Sequence, residues 1–259
     1  MVGAYLHDKE GMLDVLLLNC HLHGTNQYSV SESFFDEIRM QQLDVATVAV
    51  DRFFSTAPSS SSRALDPSRM CIFGDLNFRT EALNSPEDKL RGGADFQAVV
   101  KEAESCDASR LLNLYEKSDR LYPLLSDRSP AGPESSGCCH QGFSASASAR
   151  PPKKKSQELR KEARGMHMGG LLSGCSDGLE EALRMGRVVP PTFTFQAVSM
   201  MKATPTPPNR RTYKDKRTPS WTDRVLWRGF DPLGQPDFSS VPEVVTSDHE
   251  PVYCLLCMP

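Results

Sequence analysis

Apolar residues in this chain come in short runs, and several of the runs end in residues able to do chemistry. Leu13 to Leu22, rich in Leu and Val, predicts a buried strand that closes on His21 and His23. A helix is expected from about Phe34 to Phe54, with Phe35, Ile38 and Val45 near one face and Ser33 and Asp36 in a capping-box pattern. Met70 to Phe73 predicts the next strand, and Asp75 lies just past its end. Helical sequence follows near Asp95 to Asp119. Further strand-like stretches run at Val188-Val189, Phe193 to Phe195, Trp221 to Trp227, Glu243 to Thr246 and Pro251 to Leu256. Strands alternating with helices in the first half and strand-rich sequence in the second predict a mixed α/β sandwich.

Between about Ser129 and Gly186 the pattern breaks. Ser, Ala, Gly and Pro dominate Ser129 to Pro152, and Lys153-Lys154-Lys155 sits in a run with seven basic and two acidic residues from Arg150 to Arg164. The chain is therefore expected to divide into a first part of one domain (residues 1–128), a low-complexity, disordered insert (129–186) and a second part (187–259). The basic run reads as a solvated linker, although a lysine triplet also suits an acidic membrane surface or a nuclear address.

At 259 residues the chain is long enough to bury a sizeable core. A net charge of -3 argues against a general nucleic-acid binder, which needs a basic field. Basic charge is local instead: eight Lys or Arg against two Asp lie between Lys202 and Arg228, as a small polyanionic substrate calls for. Eight cysteines, several in apolar runs, and no N-terminal secretory signal point to reduced thiols and a cytoplasmic setting. Cys254-Leu-Leu-Cys257 has the spacing of half a zinc site but reads as core, and Cys138-Cys139-His140 lacks a second ligand pair. No apolar run approaches the roughly 20 residues that span a bilayer, so membrane contact is expected to be peripheral at most.

Three motifs carry the candidate chemistry: Gly74-Asp75-Leu76-Asn77-Phe78-Arg79, Arg217-Thr218-Pro219-Ser220-Trp221-Thr222-Asp223-Arg224, and Ser247-Asp248-His249-Glu250-Pro251-Val252. Each lies at the end of an apolar β-like run, where loops converge on a cleft. Roughly 140 residues separate the first from the second, so the fold must assemble the site. The residue types suit hydrolysis of a phosphate ester: a carboxylate to orient water, a neutral donor for phosphoryl oxygens, a histidine with an orienting carboxylate, and cations. Asp75 supplies the first and Asn77 the second, sharing a face if both lie on a strand. His249 is supported by Asp248, or by Asp223 once the chain is folded. Any one of these triplets alone reads as a turn.

The first and third motifs resemble those of the metal-dependent exonucleases, endonucleases and phosphatases with a DNase I-like fold. The block Arg-x-Pro-Ser-Trp-Thr-Asp-Arg-Val-Leu, with Phe78-Arg79, resembles the signature of the inositol polyphosphate 5-phosphatases. Leu17 to His23, Tyr28-Ser29-Val30, Ile38-Arg39 and Pro190-Pro191-Thr192-Phe193-Thr194-Phe195 are similar to the type I branch, which acts on soluble inositol phosphates. Lipid-directed relatives carry a lysine at the position of Thr194, and the type I prenylation box is not matched, since Leu256 stands where its cysteine would be.

The resemblance implies a DNase I-like four-layer α/β sandwich, Mg2+ as cofactor, and an inositol polyphosphate or phosphoinositide as substrate. It implies roles for Asp75 (water), Asn77 (phosphoryl oxygens), His249 supported by Asp248 (scissile phosphate) and Asp223 (holding the histidine). His23 is taken as the upstream histidine, with His21 as the alternative. Arg79, Lys216, Arg217 and Arg224 are the candidate cations on the substrate side, with Arg224 holding the surrounding loop. The family's first strands carry an asparagine and the main metal-ligand glutamate. No strand is expected before Leu13, Glu10 is given no such role, and the metal ligands stay unassigned in a chain that reads as lacking those strands. Two other functions compete. A nucleic-acid phosphodiesterase would use the same Asp75, Asn77 and His249, and an inactive homologue would bind inositol phosphates or a protein without turnover.

Overall fold

A computed structural model describes residues 1–7, 14–24, 32–56, 69–80, 94–126, 171–172, 174–196, 212–214, 217–229 and 234–257. Among them, the apolar run after Leu13 forms strand β2 (Asp14–His21) and the run at Met70 forms β3 (Met70–Asp75), joined by the long helix α1 (Glu32–Thr56). β2 and β3 are parallel, as a strand–helix–strand crossover requires, and both carry fully buried apolar residues. β5 (Asp223–Arg228) runs antiparallel beside β3, with the two-residue β4 (Ser176–Asp177) outside it. β1 (Val2–His7) pairs antiparallel with β2, completing a five-stranded sheet in the order β1-β2-β3-β5-β4. β6 (Asp237–Ser240) and β7 (Val252–Leu255) form a separate two-stranded sheet.

Two apolar clusters hold these elements. Leu16, Leu18, Met40, Leu43, Ile72 and Leu226 bury α1 against the main sheet. The second cluster gathers Leu111 and Tyr115 of α3 (Ala108–Ser118), Leu179 and Leu183 of α5 (Gly178–Arg184), Trp221, and Phe238 of β6. The remaining short helices are α2 (Ala94–Ala103) and α4 (Tyr122–Ser126). Fully burying side chains of this size contributes about 1.5–3 kcal/mol each. Asp107 caps α3, accepting from the N–H groups of Ser109 and Arg110 at 2.8 and 3.2 Å, which splits the expected Asp95–Asp119 helix in two.

The mixed α/β architecture, with a central sheet and helices, is the one expected. Several local expectations change. A strand, β1, does precede β2, although it carries no acid. The insert expected through Gly186 ends sooner: residues 176–184 form β4 and α5, whose Leu179, Ala182 and Leu183 are buried. The rest of that insert, 129–170, lies outside the described residues, including Cys138, Cys139 and His140. Helix α1 already includes Ser33, and Asp36, expected in a capping box with it, instead holds Arg39 (2.6 Å) and Arg120. Glu243 to Thr246 is not a strand, since Val244 N–H turns back to the carbonyl of Val241 at 3.2 Å. Cys254 is half-buried and Cys257 exposed, so only the first of that pair contributes to the core. No described helix is long and apolar enough to cross a membrane.

Candidate active site

Strand register builds the site. His21, Asp75 and Asp223 occupy one rung at one end of the main sheet, His21 opposite Asp75 across β2–β3 and Asp75 opposite Asp223 across β3–β5. The rung depends on Gly74, whose φ is +117° and where a Cβ would lie 2.3 Å from the Cys20 carbonyl oxygen. Any side chain there would push β3 away from β2 just before Asp75.

His249 enters from the loop before β7. Phe193 makes antiparallel bridges to both Ser220 and His249, and Glu250 N–H donates to the Thr192 carbonyl at 2.8 Å, so the 190–196 segment ties this loop to the start of β5. His249 Nδ1 lies 2.9 Å from Asp223 Oδ2, and Nε2 lies 4.0 Å from Asp75 Oδ2. Because a carboxylate only accepts, Asp223 fixes the proton on Nδ1 and aims Nε2 toward Asp75. Thr192 and Thr222 hydroxyls donate to the same Asp223 oxygen at 3.1 and 3.0 Å.

Electrostatics follow from this packing. Burial foremost, then the neighbouring Asp223 charge, lifts Asp75 above the usual 3.8, against the pull of His249, Arg79 and the Asn77 N–H. Burial alone would lower His249, but the hydrogen bond and charge of Asp223 outweigh it and hold the imidazole proton above the ordinary 6.5. The pair is a carboxylate that takes a proton more readily than usual beside an imidazole that keeps one.

Asn77 does not share a strand face with Asp75. β3 ends at Asp75, and Asn77 has φ 56°, a left-handed conformation that asparagine tolerates. Its N–H donates to Asp75 Oδ1 (3.0 Å), its side-chain amide donates to the Leu22 carbonyl (3.0 Å), and its Oδ1 accepts from Arg79 (2.6 Å). Asn77 therefore locks the Asp75 turn to the end of β2. The Arg79 guanidinium lies 4.2 Å from the Phe193 ring centroid, the Arg217 guanidinium 5.7 Å from it, and the same ring packs at 4.6 Å on His249.

Three expected roles change. The structure brings His21 to Asp75, with Nε2 3.7 Å from Oδ2; strand β2 ends there, and His23 beyond it stacks on Phe35. Asp248 does not hold His249: its side chain pairs with Lys214 at 3.2 Å, which keeps its carboxyl below the usual range despite partial burial. Arg224 does not face the cleft. Its side chain is 0% exposed and bonds Asp119, Asp177 and Tyr115, because alternation along β5 points it away from Asp223. Lys216 lies outside the described residues. Thr192 and Thr222 join the site from within the motif-bearing stretches and Lys214 from the basic run between Lys202 and Arg228, with nothing else in the sequence to single them out.

Among the described residues, no group of three His, Cys, Asp or Glu could hold a metal ion. Asp75 and Asp223 are the carboxylates of the site, and both face His249.

Residues 184–255, which include Thr192, Phe193, Asp223 and His249, match the Endonuclease/Exonuclease/phosphatase family 2. The matched family is of the superfamily whose motifs the chain resembles. Among curated proteins, none matches. Among solved structures, the chain is similar to the inositol polyphosphate 5-phosphatase domain (IPP5C) of SpSynaptojanin, determined in complex with inositol (1,4)-bisphosphate and calcium ion. The identity is 17% and the TM-score 0.39, with 93% of this chain covered. This chain spans 45% of that one.

Proposed function

We propose that the protein is a phosphoric monoester hydrolase, an inositol polyphosphate 5-phosphatase acting on a soluble substrate such as inositol 1,4,5-trisphosphate. The observation that carries this reading is the convergence of the three motifs: Asp75, Asp223 and His249 meet within 4.0 Å at one end of the sheet. In this reading Asp75 accepts a proton from, or orients, the attacking water, and its raised affinity for protons suits that task. His249, held by Asp223 and charged at moderately acid pH, donates from Nε2 to a phosphoryl oxygen. Arg79 and Arg217, both against Phe193, supply positive charge for the substrate's phosphates, with Lys216 proposed beside them. The family match over residues 184–255 supports hydrolase chemistry, and the 5-phosphatase signature of the middle motif supports the substrate class.

One observation favours a second reading, a homologue that binds inositol phosphates without turnover: the described residues hold no three-ligand metal group. Phosphate release from inositol 1,4,5-trisphosphate, measured with Mg2+ supplied, tests both. Release by the wild type supports the first reading. Saturable binding with no release would establish the second, and cleavage of an abasic-site duplex alone would move the chain to the nuclease branch.

A further inference from the structure

We propose that Thr192 is a positioning residue for the Asp223–His249 pair, acting through its hydroxyl on Asp223 and through its main chain on the loop that carries His249. Thr192 is fully buried and bonded on both sides of the pair: Oγ1 donates to Asp223 Oδ2 at 3.1 Å, and its carbonyl accepts from Glu250 N–H at 2.8 Å. The next residue, Phe193, continues the brace. Its N–H donates to the Ser220 carbonyl at 3.0 Å, and it bridges His249. The two halves of the pair belong to segments that are 26 residues apart, and Thr192 belongs to neither.

The hydroxyl does more than fill a core position. Asp223 Oδ2 takes three donors at once, Thr192 Oγ1, Thr222 Oγ1 and His249 Nδ1. Donors on a carboxylate fix its rotamer and draw off part of its charge. The first effect keeps Nε2 aimed at Asp75, and the second tempers the pull of Asp223 on the imidazole proton. Other charges also face this imidazole: Asp75 at 4.0 Å, itself beside His21, and Asp248, neutralised in part by Lys214. Arg79 and Arg217 approach through Phe193. Thr192→Val changes none of those groups, so the variant isolates the hydroxyl. The plain alternative is a buried threonine whose hydroxyl is hydrogen-bonded only to satisfy itself, as most buried hydroxyls are.

The inference rests on the active-site reading above, and its test is chosen so that the two can fail separately. The imidazole resonances of His249, assigned with His249→Ala, are titrated by NMR in wild type, Thr192→Val and Thr192→Ser, alongside pH–rate profiles of phosphate release. Thr192→Val is expected to shift the His249 midpoint upward and lower kcat about fivefold with KM unchanged, while Thr192→Ser restores both. An unchanged or lowered midpoint in Thr192→Val, accompanied only by a drop in melting temperature, overturns the proposal. Thr192→Ala provides the same reading if the valine variant does not fold. Absence of turnover in the wild type would count against the proposed function and leave the NMR titration to decide the role of Thr192.

Discussion

Replacing Arg224 by methionine removes a guanidinium that the fold has enclosed completely. Nη1 donates to Asp119 Oδ2 at 3.0 Å and to the Trp221 carbonyl at 3.3 Å; Nη2 donates to Tyr115 Oη at 3.1 Å and to Asp177. All three charged side chains are 0% exposed, so two carboxylates share one cation and the cluster carries an excess negative charge. Asp119 registers that excess: burial first, and the Asp177 charge after it, push its carboxyl up to about 6 against the pull of Arg224. Taking away one partner of a buried pair costs about 3–5 kcal/mol, a large fraction of the roughly 5–15 kcal/mol that holds a domain together. The pH dependence has a fixed sign. A carboxyl whose folded value lies above its ordinary 3.8 favours the folded state increasingly as pH falls through that folded value. Without Arg224 the folded value rises further, and the loss of stability seen near neutrality shrinks on acidification. Urea denaturation of wild type and Arg224→Met at about pH 7.5 and about pH 5 measures this. A loss under about 1 kcal/mol, or one equal at both pH values, would refute the reasoning. So would a variant of native stability with a raised KM, the behaviour of an arginine that contacts substrate.

Asp223→Asn leaves the His249 loop in place but removes the charge that holds its proton. Because the folded value of His249 lies above 6.5, its stabilising contribution is complete below 6.5 and is lost as pH rises through the folded value; thermal melts across pH should show that slope in wild type and not in the variant. His21→Ala, removing the imidazole 3.7 Å from Asp75, should lower kcat by up to about tenfold, whereas His23→Ala should leave kcat unchanged and slightly reduce stability through its lost stacking on Phe35; equal kinetic effects would contradict the register argument. With Thr194 where lipid-directed relatives carry lysine, the ratio of kcat/KM for soluble trisphosphate over phosphatidylinositol 4,5-bisphosphate in vesicles should exceed about ten, some 1.4 kcal/mol of differential transition-state binding. Comparable or faster hydrolysis of the lipid would remove the type I assignment.

Elements with a strong period or a long apolar run are legible in the sequence alone: β2, α1, β3, and β5 with its rung-forming Asp223. Local sequence also implies that Asp75, Asp223 and His249 belong together, because each follows or opens an apolar run and only the fold can bring them together. What it concealed depended on partners far along the chain. Arg224 reads as a cation of the substrate side until β5 alternation turns it toward Asp119 and Asp177, 105 and 47 residues away. Asp248 reads as the natural support for the adjacent His249, yet its side chain pairs with Lys214 and Asp223 reaches the ring instead. β4 and α5 were hidden by a glycine-rich flank whose helical stretch, Gly178–Arg184, is short and buried through only a few apolar residues. Gly178 itself is required there, since a Cβ would lie 2.9 Å from Phe238 Cδ2.

Asp75 and His249 are proposed to perform phosphate-ester hydrolysis on an inositol polyphosphate. Inorganic phosphate released from inositol 1,4,5-trisphosphate by wild type, Asp75→Ala and His249→Ala, at matched folded concentration and with Mg2+ supplied, tests it most directly. The expected result is turnover by the wild type and a loss of about a hundredfold or more in each variant. Near wild-type rates in either variant, or no release by the wild type under any of these conditions, would contradict it.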